Sequence, residues 1–192
     1  MSCVVREVAG RGEAFVRPAA YAAATLADAA KYEAPGGVYA AFGTWHDHRV
    51  VRLTNHFDRF EDSARRLEFE LSLDRELVRR ELCTIITEAG FAGARLRVSA
   101  HPRTYAAESV LTVAVEPYAG PPAELRRDGV VCRTAPHAAR ANPRVKQTSW
   151  LAERARLAEG AARTSTTVYE WLLLDEADRD RKSTRLNSSH YS

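Results

Sequence analysis

The clearest pattern lies between Val38 and Val115, where the hydrophobic period shifts from two to about 3.6 and back. Val38 to Trp45 reads as a strand that starts after the Pro35-Gly36-Gly37 break. His46-Asp47-His48 reads as a turn and Arg49 to Leu53 as a returning strand, which makes a β-hairpin. Thr54 and Asn55 are N-cap candidates for a helix with Phe57, Phe60, Ala64 and Leu67 on one face. A second helix is expected from Asp74, with Leu77, Leu82, Ile85, Ile86 and Ala89 on its buried side and Gly90 as its stop. Arg95–Ser99 and Leu111–Val115 then alternate as strands.

Beyond this block the pattern loosens. Tyr118-Ala-Gly-Pro-Pro122 reads as a linker and Gly129–Arg133 as a short strand. A loop with Pro136 and Pro143 follows over 134–147, then an amphipathic helix from Trp150 to Ala162. Val168–Leu174 is nearly all apolar and predicts a buried strand. Residues 1–36 show only modest helical character, in an alanine-rich stretch from Pro18 to Tyr32. The order predicts a mixed α+β / α/β chain. A small N-terminal α+β domain over 1–120 (hairpin, two helices, two strands) precedes the opening strand–helix–strand of a second domain over 121–180. Residues 181–192 differ from both.

Charge explains that last division. The chain has 192 residues, with 28 Lys and Arg against 25 Asp and Glu. Arg181, Lys182 and Arg185 lie in the final segment, which has no acid, so the rest is balanced. A balanced body gives no reason to expect a nucleic-acid or anionic-membrane partner. The terminal RKSTRLNSSHYS is serine-rich and holds one of only three lysines, so a non-native tail is expected, with the gene cut off near Arg179. No apolar run reaches the ~20 residues of a membrane span, and the N-terminus lacks a long apolar leader. Cys3, Cys83 and Cys132 form no CxxC pair, which fits reduced, cytoplasmic conditions, with Cys83 expected in the core.

Two constellations carry candidate chemistry. Before the tail the only lysines are Lys31 and Lys146. Lys146 stands where a loop enters a helix, in Asn142-Pro-Arg-Val-Lys146-Gln-Thr-Ser-Trp150. A lysine becomes nucleophilic when burial or a nearby cation lowers its pKa, although an exposed, inert loop lysine fits the same spacing. His56 and Arg59 share a helix face, and a guanidinium near a helix N-terminus can clamp a phosphate. On these residues alone, a surface pair of Arg59 with Glu61 or Asp62, with His56 as a cap, is the favoured reading. His46-Asp47-His48 is a poor metal site because adjacent side chains diverge, and no metal is expected. The arginine pairs at 65–66, 79–80 and 126–127 read as solvated faces.

The ordered set Gly37-Val-Tyr, Thr44-Trp45, Val51-Arg-Leu53-xx-His56-xx-Arg59-Phe-xx-Ser63-Ala64, Arg95-Leu-Arg97-Val, Pro143-Arg-Val-Lys146-xx-Ser149-Trp150-Leu and Val168-Tyr-Glu170-Trp-Leu-Leu-Leu-Asp175 resembles the class IV aminotransferases. These are pyridoxal 5'-phosphate enzymes of fold type IV. The resemblance runs from about Gly36 to Arg179. It implies transfer of an amino group between an amino acid and a 2-oxo acid, with branched-chain-like members nearest, and a homodimer. It implies that Lys146 binds the cofactor and moves a proton at the substrate α-carbon, and that Arg59 holds the cofactor phosphate. Tyr39 and Arg97 would border the substrate, and His56 would support the Arg59 helix.

The sequence departs from the family in places. Tyr39-Ala40 and Gly43 stand where the family often has Phe-Glu and an Arg, and Trp150 stands near the Tyr of many branched-chain members. The Glu-Gly-Ser/Thr-x-Asn motif that should follow Asp175 does not occur, so the chain as written is expected to be incomplete and inactive. The alternatives are an aminodeoxychorismate lyase of the same fold and a non-catalytic α+β domain that binds a partner or an anion.

Overall fold

In the computed structural model of the protein, residues 3–46, 48–135, 145–150, 169–174 and 180–183 are described. They fall into two compact units, the first formed by 1–119 with 145–149 and the second by 120–144 with 150–192.

The first unit is built on a six-stranded antiparallel sheet. Its strands are β1 (Val4–Ala9), β2 (Val16–Pro18), β3 (Val38–Trp45), β4 (Arg49–Val50), β5 (Ala94–Ala100) and β6 (Val110–Pro117). Their spatial order is β2-β1-β6-β5-β3-β4. β3 occupies the predicted residues. Its pairing with β5 sets Ala40 opposite Val98 and Tyr39 opposite Ser99. Successive side chains point to opposite faces, so Val38, Ala40 and Phe42 join Leu96, Val98 and Ala100 on one side. That side is covered by α2 (Leu53–Arg66) and α3 (Arg75–Ala89).

The two long helices follow from their apolar stripes. Phe57, Phe60 and Ala64 of α2 and Leu77, Val78, Leu82, Ile85 and Ile86 of α3 are all buried. Each large side chain removed from water is worth about 1.5–3 kcal/mol. Asp74 caps α3 by accepting the Leu77 N–H at 3.0 Å, and Gly90 ends it at φ 64°. A left-handed C-terminal residue of this kind favours glycine.

The start of α2 corrects the expected cap. The helix begins at Leu53, and Arg52 precedes it at φ 53° without a side-chain cap. The returning strand is only Arg49–Val50, because the turn at Val51-Arg52 swings the chain into the helix early. Thr54 and Asn55 are therefore already helical. Cys83, expected in the core, is half-buried on the flank of α3.

The opposite face of the sheet holds a smaller cluster of Cys3, Val5, Leu26, Ala29 and Ala114. It is covered by α1 (Leu26–Ala29) and the 3-10 turn Ala30–Tyr32. The segment 1–36, which shows little pattern, thus supplies two strands and this cover. Between β5 and β6 lies a short helix that the periodicity does not predict, α4 (Pro102–Glu108).

In the second unit a helix, α5 (Ala123–Asp128), follows the expected linker, and β7 (Cys132–Ala135) starts after the exposed Val130 and Val131. β8 (Glu170–Leu174) lies within the predicted apolar run and pairs in parallel with β7. β9 (Asp180–Ser183) pairs antiparallel with β8, so Arg181, Lys182 and Ser183 of the expected tail belong to a strand. The predicted helix after Trp150 lies outside the described residues. No helix among the described residues is long and apolar enough to cross a membrane.

Candidate functional site

Lys146 sits on the free edge of β3, at the opposite end from β4. Val38 faces Gln147 in an antiparallel bridge. The Tyr39 N–H donates to the Lys146 carbonyl at 2.9 Å, and the Thr148 N–H donates to the Gly37 carbonyl at 2.9 Å. Thr148 Oγ1 donates to the Ala34 carbonyl at 2.8 Å. The Lys146 N–H donates to Ser63 Oγ at 3.1 Å. The lysine backbone is thus fixed to a strand on one side and to α2 on the other. The side chain is buried, at 6% exposure, so the picture of an exposed loop lysine does not apply. Gly37 is required by space. A Cβ there would lie 2.7 Å from the Ala100 carbonyl oxygen.

Tyr39 stands on the face away from the long helices. Lys146 Nζ lies 5.3 Å from the centroid of its ring, and Arg97 Cζ lies 3.7 Å from the same centroid. Both distances are within the range of a cation–π attraction. The Tyr39 hydroxyl is buried and has no hydrogen-bond partner among the described residues. A buried polar atom normally finds a partner, so this hydroxyl is an exception that points to a ligand.

Arg97, expected at the substrate side, is held by a residue that the sequence reading missed. Its Nε donates to Glu33 Oε1 at 2.6 Å and its Nη2 to Oε2 at 2.5 Å. Both side chains are buried. Glu33 follows the alanine-rich stretch and precedes Pro35, where no period marks it. The nearest signal is a carboxylate directly before the turn that feeds β3.

Arg59 lies on α2 with an exposed side chain. Because the helix starts at Leu53, Arg59 falls in its second turn, and the dipole argument for anion binding does not reach it. The expected surface pairs are also absent among the described residues. Asp62 pairs with Arg65 and Arg66, and Glu61 pairs with Arg75. Arg59 therefore has no acidic partner among them. Its backbone is tied to the lysine segment, since Ser63 Oγ donates to the Arg59 carbonyl at 2.7 Å. His56, one turn earlier, packs its ring 5.0 Å from that of Phe42. Burial, and then the charges of Arg59 and Lys146, push the His56 pKa below its ordinary value.

Lys146, Tyr39 and Arg97 come together in this unit, and Arg59 joins them through Ser63. Among the described residues the set combines a buried amine, a phenol without a hydrogen-bond partner and a guanidinium without an acid. The Arg65, Arg66, Arg79 and Arg127 side chains pair with acids of their own helices or next to them. No cluster of three potential metal ligands occurs among the described residues.

A family model for class IV amino-transferases matches residues 38–180, and the chain belongs to that family. Similar solved structures share the fold. A protein provisionally named as a 4-amino-4-deoxychorismate lyase has a TM-score of 0.65 at 23% identity, over 88% of this chain and 64% of its own. A hypothetical aminotransferase from Mycobacterium tuberculosis, with α-ketoglutarate and PMP bound, has a TM-score of 0.62 at 22% identity, over 90% and 62%. A protein from Thermotoga maritima, provisionally named as a branched-chain amino acid aminotransferase, has a TM-score of 0.64 at 18% identity, over 94% and 60%. The chain spans less than two thirds of the length of these structures. No curated protein matches it.

Proposed function

We propose that this chain carries the lysine and part of the phosphate site of a pyridoxal 5'-phosphate enzyme that moves an amino group between an amino acid and a 2-oxo acid. The observation that supports it most is the setting of Lys146. Its amine is buried, its backbone is held at both N–H and C=O, and its Nζ lies over a tyrosine whose hydroxyl has no partner among the described residues. A loop lysine with a merely solvating role needs none of this.

The residues fit the cofactor. Lys146 would hold it through Nζ. Arg59 would hold its phosphate, because a guanidinium not engaged by an acid can offer two parallel hydrogen bonds to an oxyanion. The Tyr39 hydroxyl, on the ring beside Lys146 Nζ, would supply a donor. When bound, the cofactor supplies the electron sink that makes a substrate α-proton acidic. The protein's share is position and proton movement. A neutral Lys146 Nζ accepts the proton from the α-carbon of the amino acid and returns it.

Branched-chain-like substrates are the reading from the sequence. The lyase reading stands beside it because a protein named as a lyase shares the fold. The first experiment is cofactor trapping. The purified chain is incubated with pyridoxal 5'-phosphate, reduced with borohydride and digested. The expected result is a cofactor adduct on the Lys146 peptide that Lys146→Ala abolishes. No adduct, or an adduct spread over surface amines and unchanged in Lys146→Ala, overturns the proposal. Transfer from branched-chain amino acids to 2-oxoglutarate, assayed against pyruvate release from aminodeoxychorismate, then separates the two reactions.

A further inference from the structure

The sheet face that carries Tyr39 contains a contact for which the proposed reaction has no use. Arg97 and Glu33 are 3% and 8% exposed at their side chains, and the carboxylate bridges Nε and Nη2 of the guanidinium. Arginine recognises a free carboxylate with this same planar two-bond fork. Here the fork is filled from within the chain.

The surroundings give the contact a meaning. A cleft of about 220 Å³ opens beside it, with Tyr32, Glu33, Ser99, His101 and Thr148 among its walls. Glu33 lines this cleft and Arg97 does not. Glu33 thus belongs both to the wall of the cleft and to the buried ion pair with Arg97.

We propose that Glu33 is a specificity-determining residue, which fills the carboxylate slot of Arg97 and closes it to carboxylate-bearing ligands entering the cleft. For catalysis this rests on the amino-transfer reading. On that reading, Arg97 does not supply the recognition of a second carboxylate, and a dicarboxylic amino acid or 2-oxo acid gains no contact from it. Glu33 also anchors the guanidinium whose Cζ lies 3.7 Å from the Tyr39 ring centroid.

The test uses the purified chain without added cofactor. Acetate and glutarate are titrated at constant ionic strength against wild type, Glu33→Ala, Arg97→Leu and the double variant, and thermal midpoint and calorimetric binding are followed. A ligand that binds only the folded state raises the midpoint in a saturable way. The expected result is that acetate raises the lowered midpoint of Glu33→Ala toward that of wild type, while the other three proteins respond as they do to chloride. A folded Glu33→Ala without a saturable response, or a wild type that responds as strongly, overturns the proposal. If Glu33→Ala is insoluble, wild type and Arg97→Leu decide it. Saturable glutarate binding by wild type that is lost in Arg97→Leu overturns the proposal, and its absence from both upholds it. Failure of cofactor trapping at Lys146 would strike the amino-transfer reading alone, and failure of the acetate response would strike this one alone.

Discussion

Ser63 and Lys146, 83 positions apart, are joined by a buried hydrogen bond from the lysine N–H to the serine hydroxyl. The same hydroxyl donates to the Arg59 carbonyl one turn back on α2. A single side chain thus couples the lysine segment to the helix turn that carries the arginine. Ser63 has no exposed surface, so water cannot take its place.

Ser63→Ala should therefore leave the Lys146 N–H buried without an acceptor. The expected cost is about 1–3 kcal/mol, the penalty for an unsatisfied buried donor. Urea unfolding should show a lower midpoint with an unchanged slope. A midpoint equal to that of wild type would mean that the bond is replaced by another acceptor.

Gly37→Ala tests the strand edge. The new Cβ would lie 2.7 Å from the Ala100 carbonyl oxygen and 3.3 Å from Thr148 Cγ2. One of these neighbours is backbone, so relief requires β3 to move away from β5 or from the lysine segment. Overpacking of this kind costs about 1–3 kcal/mol. Hydrogen exchange at the Thr148 amide, which donates to Gly37, should accelerate.

Arg59→Met should separate phosphate binding from the rest of the site. Charge-assisted hydrogen bonds are worth about 1.5–3 kcal/mol, so affinity for pyridoxal 5'-phosphate should fall roughly ten- to a hundredfold. Uptake of pyridoxal, which lacks the phosphate, should not change. Equal losses for both would assign Arg59 to the fold.

His56 predicts a pH dependence. Its pKa is lowered in the folded chain from 6.5, chiefly by burial. The unfolded chain therefore binds a proton first as the pH falls. The contribution of His56 is complete above about pH 6.5 and is lost progressively below it, until the folded form is protonated too. Stability measured between pH 8 and 5 should decline in wild type and decline less in His56→Gln.

Most of the first unit is written in its periodicity. β3, α3 and the core faces of β5 and β6 follow from alternation and from i, i+3, i+4 spacing, since these residues pack on one continuous core. The strands at the N-terminus are not legible. Arg6 and Glu7 interrupt β1, and its burial alternates only in part. It becomes a strand through its partners, with Arg6 opposite Val113 and Val8 opposite Leu111.

The site divides in the same way. Lys146 stands out by rarity and Arg59 by its place in an ordered set of motifs. Ser63 is visible only as part of that set, and its two hydrogen bonds depend on tertiary contact. Glu33 carries no periodic signal. Its role comes from a partner 64 positions away on β5, and no local pattern encodes such a pair.

The placing of β1 bears on how the chain assembles during synthesis. The first strand made lies between β2 and β6, with Val4 opposite Val115. Its inner edge therefore has no partner until more than a hundred further residues have been added. Contacts so distant in sequence slow folding, because the loop must close before pairing repays it. Until then the inner edge of β1 is open on a nascent chain, and an open strand edge is prone to associate with others. The lysine segment arrives later still, so the Lys146 edge of β3 is completed last. A nascent chain that has emerged only as far as residue 117 should therefore hold a closed sheet whose lysine edge is still bare.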